Sequence, residues 1–186
     1  MPLNPDGIVL LEDILVRTME GKNTLQAVPY FICVYNPREE LDALNQFSNL
    51  VLRLRYRGFS AESISLSDLM LEILDEEGYL SEDIMKEEEN SRDEFENDLR
   101  RFLLEGLTKR LKQMLHGKPI AHCAVLLRYG ALWPFVHLSG ILQEITGSID
   151  CTLAIAYPSS IGEGYPLDEE SSDTFDYYRA ERVDLR

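Results

Sequence analysis

Three segments of this 186-residue chain end alike: "CVYNP", "LLRYG" and "IAYPS" place Tyr35, Tyr129 and Tyr157 at the close of apolar runs, just before turns. In open α/β sheets, ligands bind outside the carboxyl ends of the strands. Neighbouring strands lie about 4.8 Å apart, so the three rings can gather on one edge of a sheet. With Arg128 and Trp133 beside them they would floor a pocket. The plainer reading is that the tyrosines close the end of a sheet, ring bodies inward and hydroxyls wet.

The groups that would arm such an edge for catalysis do not fall in the required order. A phosphate loop needs glycines for close backbone approach, a lysine and a magnesium-binding hydroxyl. After the first strand this chain offers "YNPREEL", with Glu39 and Glu40 and no glycine. No strand ends in the carboxylate that would hold magnesium beside a nucleotide. "SSIGEG" has the letters of a nucleophile elbow in the wrong order. The pair His122–Cys123, with His116 upstream, matches no zinc spacing and lacks a fourth ligand. His137, among Val136, Leu138 and Ile141, reads as a helix-surface or packing residue, and Glu39–Glu40 and Glu76–Glu77 read as solvated helix charges. No catalytic residue, metal or cofactor is expected.

The elements that would position these residues alternate between two hydrophobic periods. Ile8, Leu11, Ile14 and Leu15 mark an opening helix near 8–19, and "VPYFICVYNP" is a short apolar run rich in β-formers, closed by Asn36–Pro37. Leu41, Leu44, Phe47, Leu50, Val51 and Leu54 recur at steps of three and four, so 39–57 is an amphipathic helix that Gly58 stops. "AESISL" alternates as a strand does, and Ser67–Asp68 is placed to cap a helix through Ile73. A long helix over 91–116 carries its stripe on Phe95, Leu99, Phe102, Leu103, Leu107, Leu111 and Met114 and ends at Gly117. "IAHCAVLL" and "CTLAIAY" are further strands, with a helix over 134–145 between them that has Pro134 in its first turn. "DYYRAERV" is expected to be an edge strand. Near-continuous apolar strands imply burial on both faces, hence a parallel sheet covered by helices. The expected fold is an α/β three-layer sandwich with a mostly parallel central sheet, of RecA/P-loop-like topology without a phosphate loop. Residues 1–186 are expected to form a single domain, with an acidic segment, 75–98, inserted between helices.

Charge narrows the partners. The net charge of −15 and a sequence pI near 4.5 oppose direct binding to a phosphate backbone. Residues 75–98 hold twelve acids against Lys86 and Arg92, whereas 100–118 hold six basic residues against Glu105. Such blocks are ordinarily solvated faces; the sharper reading is a docking surface for a basic partner, centred on Glu87, Glu88 and Glu89. Cys33, Cys123 and Cys151 form no even set and sit in apolar runs, as buried free thiols do. No apolar run approaches the roughly 18–20 residues of a membrane span. Acidic Asp6, Glu12 and Asp13 stand where a signal peptide would be basic, so a cytoplasmic location is expected.

The stretches "LLRYGALWPFVHLSGILQEI", "CTLAIAYPSS" and "YYRAERV", with "PYFICVYNPREELDAL" and the Gly58–Phe59 turn before them, resemble the BrxB proteins of bacterial BREX phage-defence systems. The likeness covers most of residues 29–183, and its most specific piece is the run Tyr177–Tyr178–Arg179–Ala180. Ser159 stands where the family tends to have glycine, and His137 where it often has arginine, which marks a divergent member. The resemblance carries over no catalytic residues. It implies a non-catalytic adaptor that works with larger BREX proteins, a PglZ-like protein first among them, with an AAA+ ATPase and a DNA methyltransferase as further partners. The alternatives are a small enzyme or nucleotide-binding protein using the Tyr-rich edge, and an acidic DNA mimic. Two surfaces compete for the partner. One is the acidic segment with Glu87, Glu88 and Glu89, favoured here because its charge has no other visible task. The other is the aromatic edge of Tyr129, Trp133 and Tyr157, and Tyr178 and Arg179 of the closing run join the candidates.

The "YNPREEL" turn predicts no appreciable binding of ATP or GTP. Ligand at a hundredfold excess over its Kd stabilises a folded state by about 2.7 kcal/mol. The melting temperature is therefore expected to stay put in millimolar Mg-ATP; a clear upward shift would contradict the adaptor reading.

Overall fold

A computed structural model of the chain describes residues 5–22, 29–79, 92–159 and 180–186. In chain order the elements are α1 (Pro5–Met19), β1 (Tyr30–Tyr35), α2 (Glu40–Tyr56), β2 (Ser60–Ser65), α3 (Leu66–Glu76), α4 (Arg92–Leu115), β3 (His122–Leu127), α5 (Leu138–Ile145), β4 (Thr152–Pro158) and β5 (Glu181–Asp184). The strands form one sheet in the order β2-β3-β4-β1-β5, and every pairing is parallel. From the other edge this order, β5-β1-β4-β3-β2, is that of the RecA-like expectation.

Every residue of β1, β3 and β4 is buried. Their side chains alternate between two cores, as a period of two requires. Tyr30, Ile32, Val34, Ala124, Leu126, Leu153 and Ile155 meet α3, α4 and α5 on one face. Phe31, Cys33, Tyr35, Cys123, Val125, Ala154 and Ala156 meet α1 and α2 on the other. The crossover from β1 runs over two strands to the far edge, and the later crossovers return. Right-handed connections that reverse direction must place their helices on opposite faces, which produces the three layers. β2 is an edge strand, and only Ala61 and Ile64 of its six residues are buried.

Several local expectations shift when the chain is packed. Ser65, not Ser67, caps α3: its hydroxyl accepts the Asp68 N–H at 3.4 Å, and Leu66 is already helical and fully buried. The stripe of α4 closes on Leu115, which is fully buried, whereas Met114 is 39% exposed. Those neighbours lie about 100° apart around a helix, so only one of them can face the sheet. Gly106 brings α4 close to α3, because a Cβ there would sit 3.0 Å from Ile73. Glu12 of α1 accepts from Arg53 Nε at 2.6 Å and Arg57 Nη1 at 3.0 Å, fastening α1 to the last turn of α2. The acidic insertion is described only at its flanks, 75–79 and 92–98; Glu87, Glu88 and Glu89 lie outside the described residues, as do Tyr178 and Arg179.

The packing of α4 yields a paired expectation. Leu107→Ala empties a fully buried position and should cost about 2–5 kcal/mol. Met114→Ala, at an exposed position, should change stability by no more than about 0.5 kcal/mol. Urea denaturation of both variants distinguishes this stripe from one that ends on Met114.

Candidate functional site

The β1–β4 register decides what happens to the tyrosines. Val34 pairs with Tyr157, and Tyr35 pairs with Pro158. Residues side by side in register point to the same face, so Tyr35 and Tyr157 point to opposite faces. Tyr35 enters the core under α1 and α2 and donates its hydroxyl to Glu40 in the first turn of α2. Tyr129 and Tyr157 stack on the other face, with ring centroids 5.1 Å apart and planes inclined by 26°. Both are 1% exposed. The common floor of three rings does not form: Tyr35 lies in one core, and the stacked pair Tyr129–Tyr157 lies in the other.

Tyr129 has a structural task there. Its hydroxyl accepts the Leu138 N–H at 2.9 Å and donates to the Val136 carbonyl at 3.4 Å, closing the loop that leads into α5. Burial pushes its pKa up to about 12, against the opposing effect of the Leu138 N–H, so the phenol stays neutral. The expected helix over 134–145 is correspondingly shorter. A 3-10 turn spans Tyr129–Leu132, Trp133 is extended with ψ 140°, and α5 begins only after His137, itself extended with ψ 141°. The residue before a proline is driven out of the helical region, which removes Trp133 and Pro134 from the helix.

Arg128, Ala131, Trp133 and His137 of this loop are exposed. Trp133 is 40% exposed, so it is no core plug. The Arg128 carbonyl accepts the Ala131 N–H at 3.2 Å, and its side chain has no ion pair or hydrogen bond among the described residues. It adopts the left-handed conformation, φ 59° and ψ 35°, which costs a non-glycine residue about 1–2 kcal/mol. Strain of this kind clusters where a loop presents groups to a ligand or partner.

The position of a phosphate loop, after β1, is closed by its own backbone. Pro37 has no N–H. The Arg38 N–H bonds Asn36 Oδ1 at 3.0 Å, the Glu39 N–H bonds the Asn36 carbonyl at 2.8 Å, and the Glu40 N–H bonds the Pro37 carbonyl.

Charge on the long helix is also taken up locally. Arg110 grips both oxygens of Glu76, Lys112 lies 3.6 Å from Glu144, and Lys118 pairs with Glu62. Arg100 and Arg101 pair along the helix with Glu96 and Asp98. The basic block is thus divided among carboxylates, and Glu76, a member of the acidic block, has a structural partner. Only Lys109 of the six bases lacks one among the described residues.

The cysteines are free and buried. Burial raises Cys123 to about 12 and Cys151 to about 11, and raises Cys33 further, so none is a ready thiolate. Among the described residues no group of histidines, cysteines and carboxylates is placed to hold a metal. No helix of the described residues is long and apolar enough to cross a membrane.

One polar constellation is absent from the sequence reading. At the amino end of the sheet, Ser60 Oγ lies 2.7 Å from His122 Nδ1, and His122 Nε2 lies 2.9 Å from Glu62 Oε1, which also binds Lys118. Alternation in "SAES" puts Ser60 and Glu62 on one side of a strand, but only the β2–β3 register sets them against His122.

A family model described as "BREX protein BrxB" matches residues 62–183. No curated protein matches the chain.

Tyr129→Phe is expected to keep the stack and lose the loop closure. Leaving the buried Leu138 N–H without its acceptor should cost about 1–3 kcal/mol, read from chemical denaturation. Tyr35→Phe, which affects the other face, should leave hydrogen exchange at Leu138 unchanged.

Proposed function

The chain belongs to the BrxB family of BREX proteins, and on that premise we propose that it is a non-catalytic adaptor within a phage-defence assembly. Family membership makes it a BREX component that works with other BREX proteins. The observation that carries the adaptor reading is the turn after β1. Its N–H groups are either missing or bound within the turn, so the backbone donors that would cradle a phosphate are used up. The stacked Tyr129 and Tyr157 fill the remaining edge. Among the side chains that edge offers outward are a tryptophan and an arginine.

The contact we assign to the partner therefore centres on Trp133 and Arg128. A half-exposed tryptophan suits an interface anchor, because it buries a large area at low rotamer cost. The partner proposed is the PglZ-like protein, with the AAA+ ATPase or the DNA methyltransferase behind it. Glu87, Glu88 and Glu89 are the second candidate surface, one that acts through charge, and Tyr178 and Arg179 of the closing run are further candidates.

Co-purification with the operon's proteins separates these surfaces. Trp133→Ala should weaken recovery of the PglZ-like protein by about 2 kcal/mol, roughly thirtyfold in Kd, with little change between low and high salt. Its melting temperature is measured alongside, so that loss of binding is not confused with loss of fold. Charge-driven contact would instead weaken as salt shortens the Debye length below about 8 Å, and would fail on combined Glu87→Gln, Glu88→Gln and Glu89→Gln substitution. Recovery of no operon protein at all would overturn the adaptor reading.

A further inference from the structure

We propose that Ser60 is an activated nucleophile, with His122 as its general base, and that it accepts an acyl or phosphonyl group from an electrophilic ester. The site lies at the amino end of the sheet, away from Trp133; the step is a single acceptance of the group without turnover, so it stands beside the adaptor reading and does not depend on it.

The parallel register sets Ser60 beside His122, and Glu62 follows two residues later on the same side of β2. The imidazole is held at both nitrogens: 2.7 Å from Nδ1 to Ser60 Oγ, and 2.9 Å from Nε2 to Glu62 Oε1. Burial alone would push the Glu62 carboxyl upward, but hydrogen bonds from Lys118 and His122, and their charges, outweigh it and hold the group below its usual value. An ionised carboxylate only accepts hydrogen bonds, so Nε2 carries the ring proton. In the neutral imidazole that leaves the Nδ1 lone pair directed at the Ser60 hydroxyl, which must donate.

Nucleophile, base and orienting carboxylate thus stand in hydrogen-bonded sequence, the arrangement that activates a serine. Access is divided in the useful way. His122 is 6% exposed, whereas Ser60 on the edge strand is open to solvent. The base is shielded and the hydroxyl is reachable. Lys118, on the same carboxylate oxygen, keeps Glu62 ionised and stops it from taking the ring proton.

In the reaction, Oγ attacks the electrophilic carbon or phosphorus and the hydroxyl proton passes to Nδ1. The new bond to Oγ forms as the bond to the leaving group breaks. With a fluorophosphonate the products are a seryl phosphonate, fluoride and an imidazolium whose positive charge faces Glu62. With an activated ester, the leaving alkoxide takes the proton back from His122.

The test uses the intact chain and a fluorophosphonate, followed by intact mass and peptide mapping. The expected result is a single adduct on Ser60, formed faster than any adduct on the urea-unfolded chain. Ser60→Ala, a small change at an exposed position, should abolish it. His122→Gln should slow labelling about a hundredfold and Glu62→Gln about tenfold, each with its melting temperature recorded. Labelling no faster than in the unfolded chain would overturn the proposal, and so would an adduct that survives Ser60→Ala. Equal rates in wild type and folded Glu62→Gln would remove the activation.

Discussion

The parallel register between β1 and β4 is the constraint on which the rest of the molecule depends. It joins six consecutive residue pairs at the centre of a five-stranded sheet. A slip by one residue would exchange the two cores, moving Ile32 and Val34 under α1 and α2 and sending Phe31 and Tyr35 toward α3 to α5. Because both faces are fully covered, such a slip would bring every large side chain of β1 into a space shaped for another. The register is held by packing on two sides at once. It also places Tyr35 and Tyr157 back to back.

That placement gives the two ends of the sheet different characters. At the carboxyl end several polar groups are taken up internally. Tyr35 reaches Glu40, Tyr129 closes its own loop, and the turn after β1 bonds to itself. An edge of this kind has little left with which to hold a small anion, but it can still present Trp133 and Arg128 on a loop whose shape is set from within. At the amino end, the polar groups meet where the edge strand β2 lies against β3. There Ser60, His122, Glu62 and Lys118 share hydrogen bonds that also clasp β2 to β3. The proposed docking edge and the proposed nucleophile are separated by the length of the strands.

The acidic and basic blocks illustrate the difference between charge in sequence and charge in space. Glu76 lies in one block and Arg110 in the other, 34 residues apart, and they meet across the α3–α4 contact. Exposed pairs of this sort contribute little stability, but they cancel the local field that a basic groove would need. The remaining negative excess still disfavours nucleic acid as a partner.

The fold class was legible because it depends on periodicity. Unbroken apolar runs at 30–35, 122–127 and 152–158 require burial on both faces, and stripes at helical spacing require helices to provide it. The closing strand near Glu181–Asp184, the ends of α2 at Gly58 and of α4 at Gly117, and the buried cysteines follow from the same local physics. Family likeness was legible from "LLRYGALWPFVH" and the closing run, and the matched range 62–183 includes both. Sites were less legible because they depend on register and rotation. "CVYNP" and "IAYPS" look equivalent as strings, yet one residue of offset sends their tyrosines to opposite cores. Ser65 and Ser67 are equal candidates for a cap until the burial of Leu66 chooses between them. Ser60 and His122 are 62 residues apart, and nothing in either neighbourhood announces the other. The sequence by itself determined which segments form strands and helices and which of their faces are apolar, since those are properties of near neighbours along the chain. Only the tertiary structure decided which polar groups meet, because strand register and helix rotation are settled by the packing of the whole core.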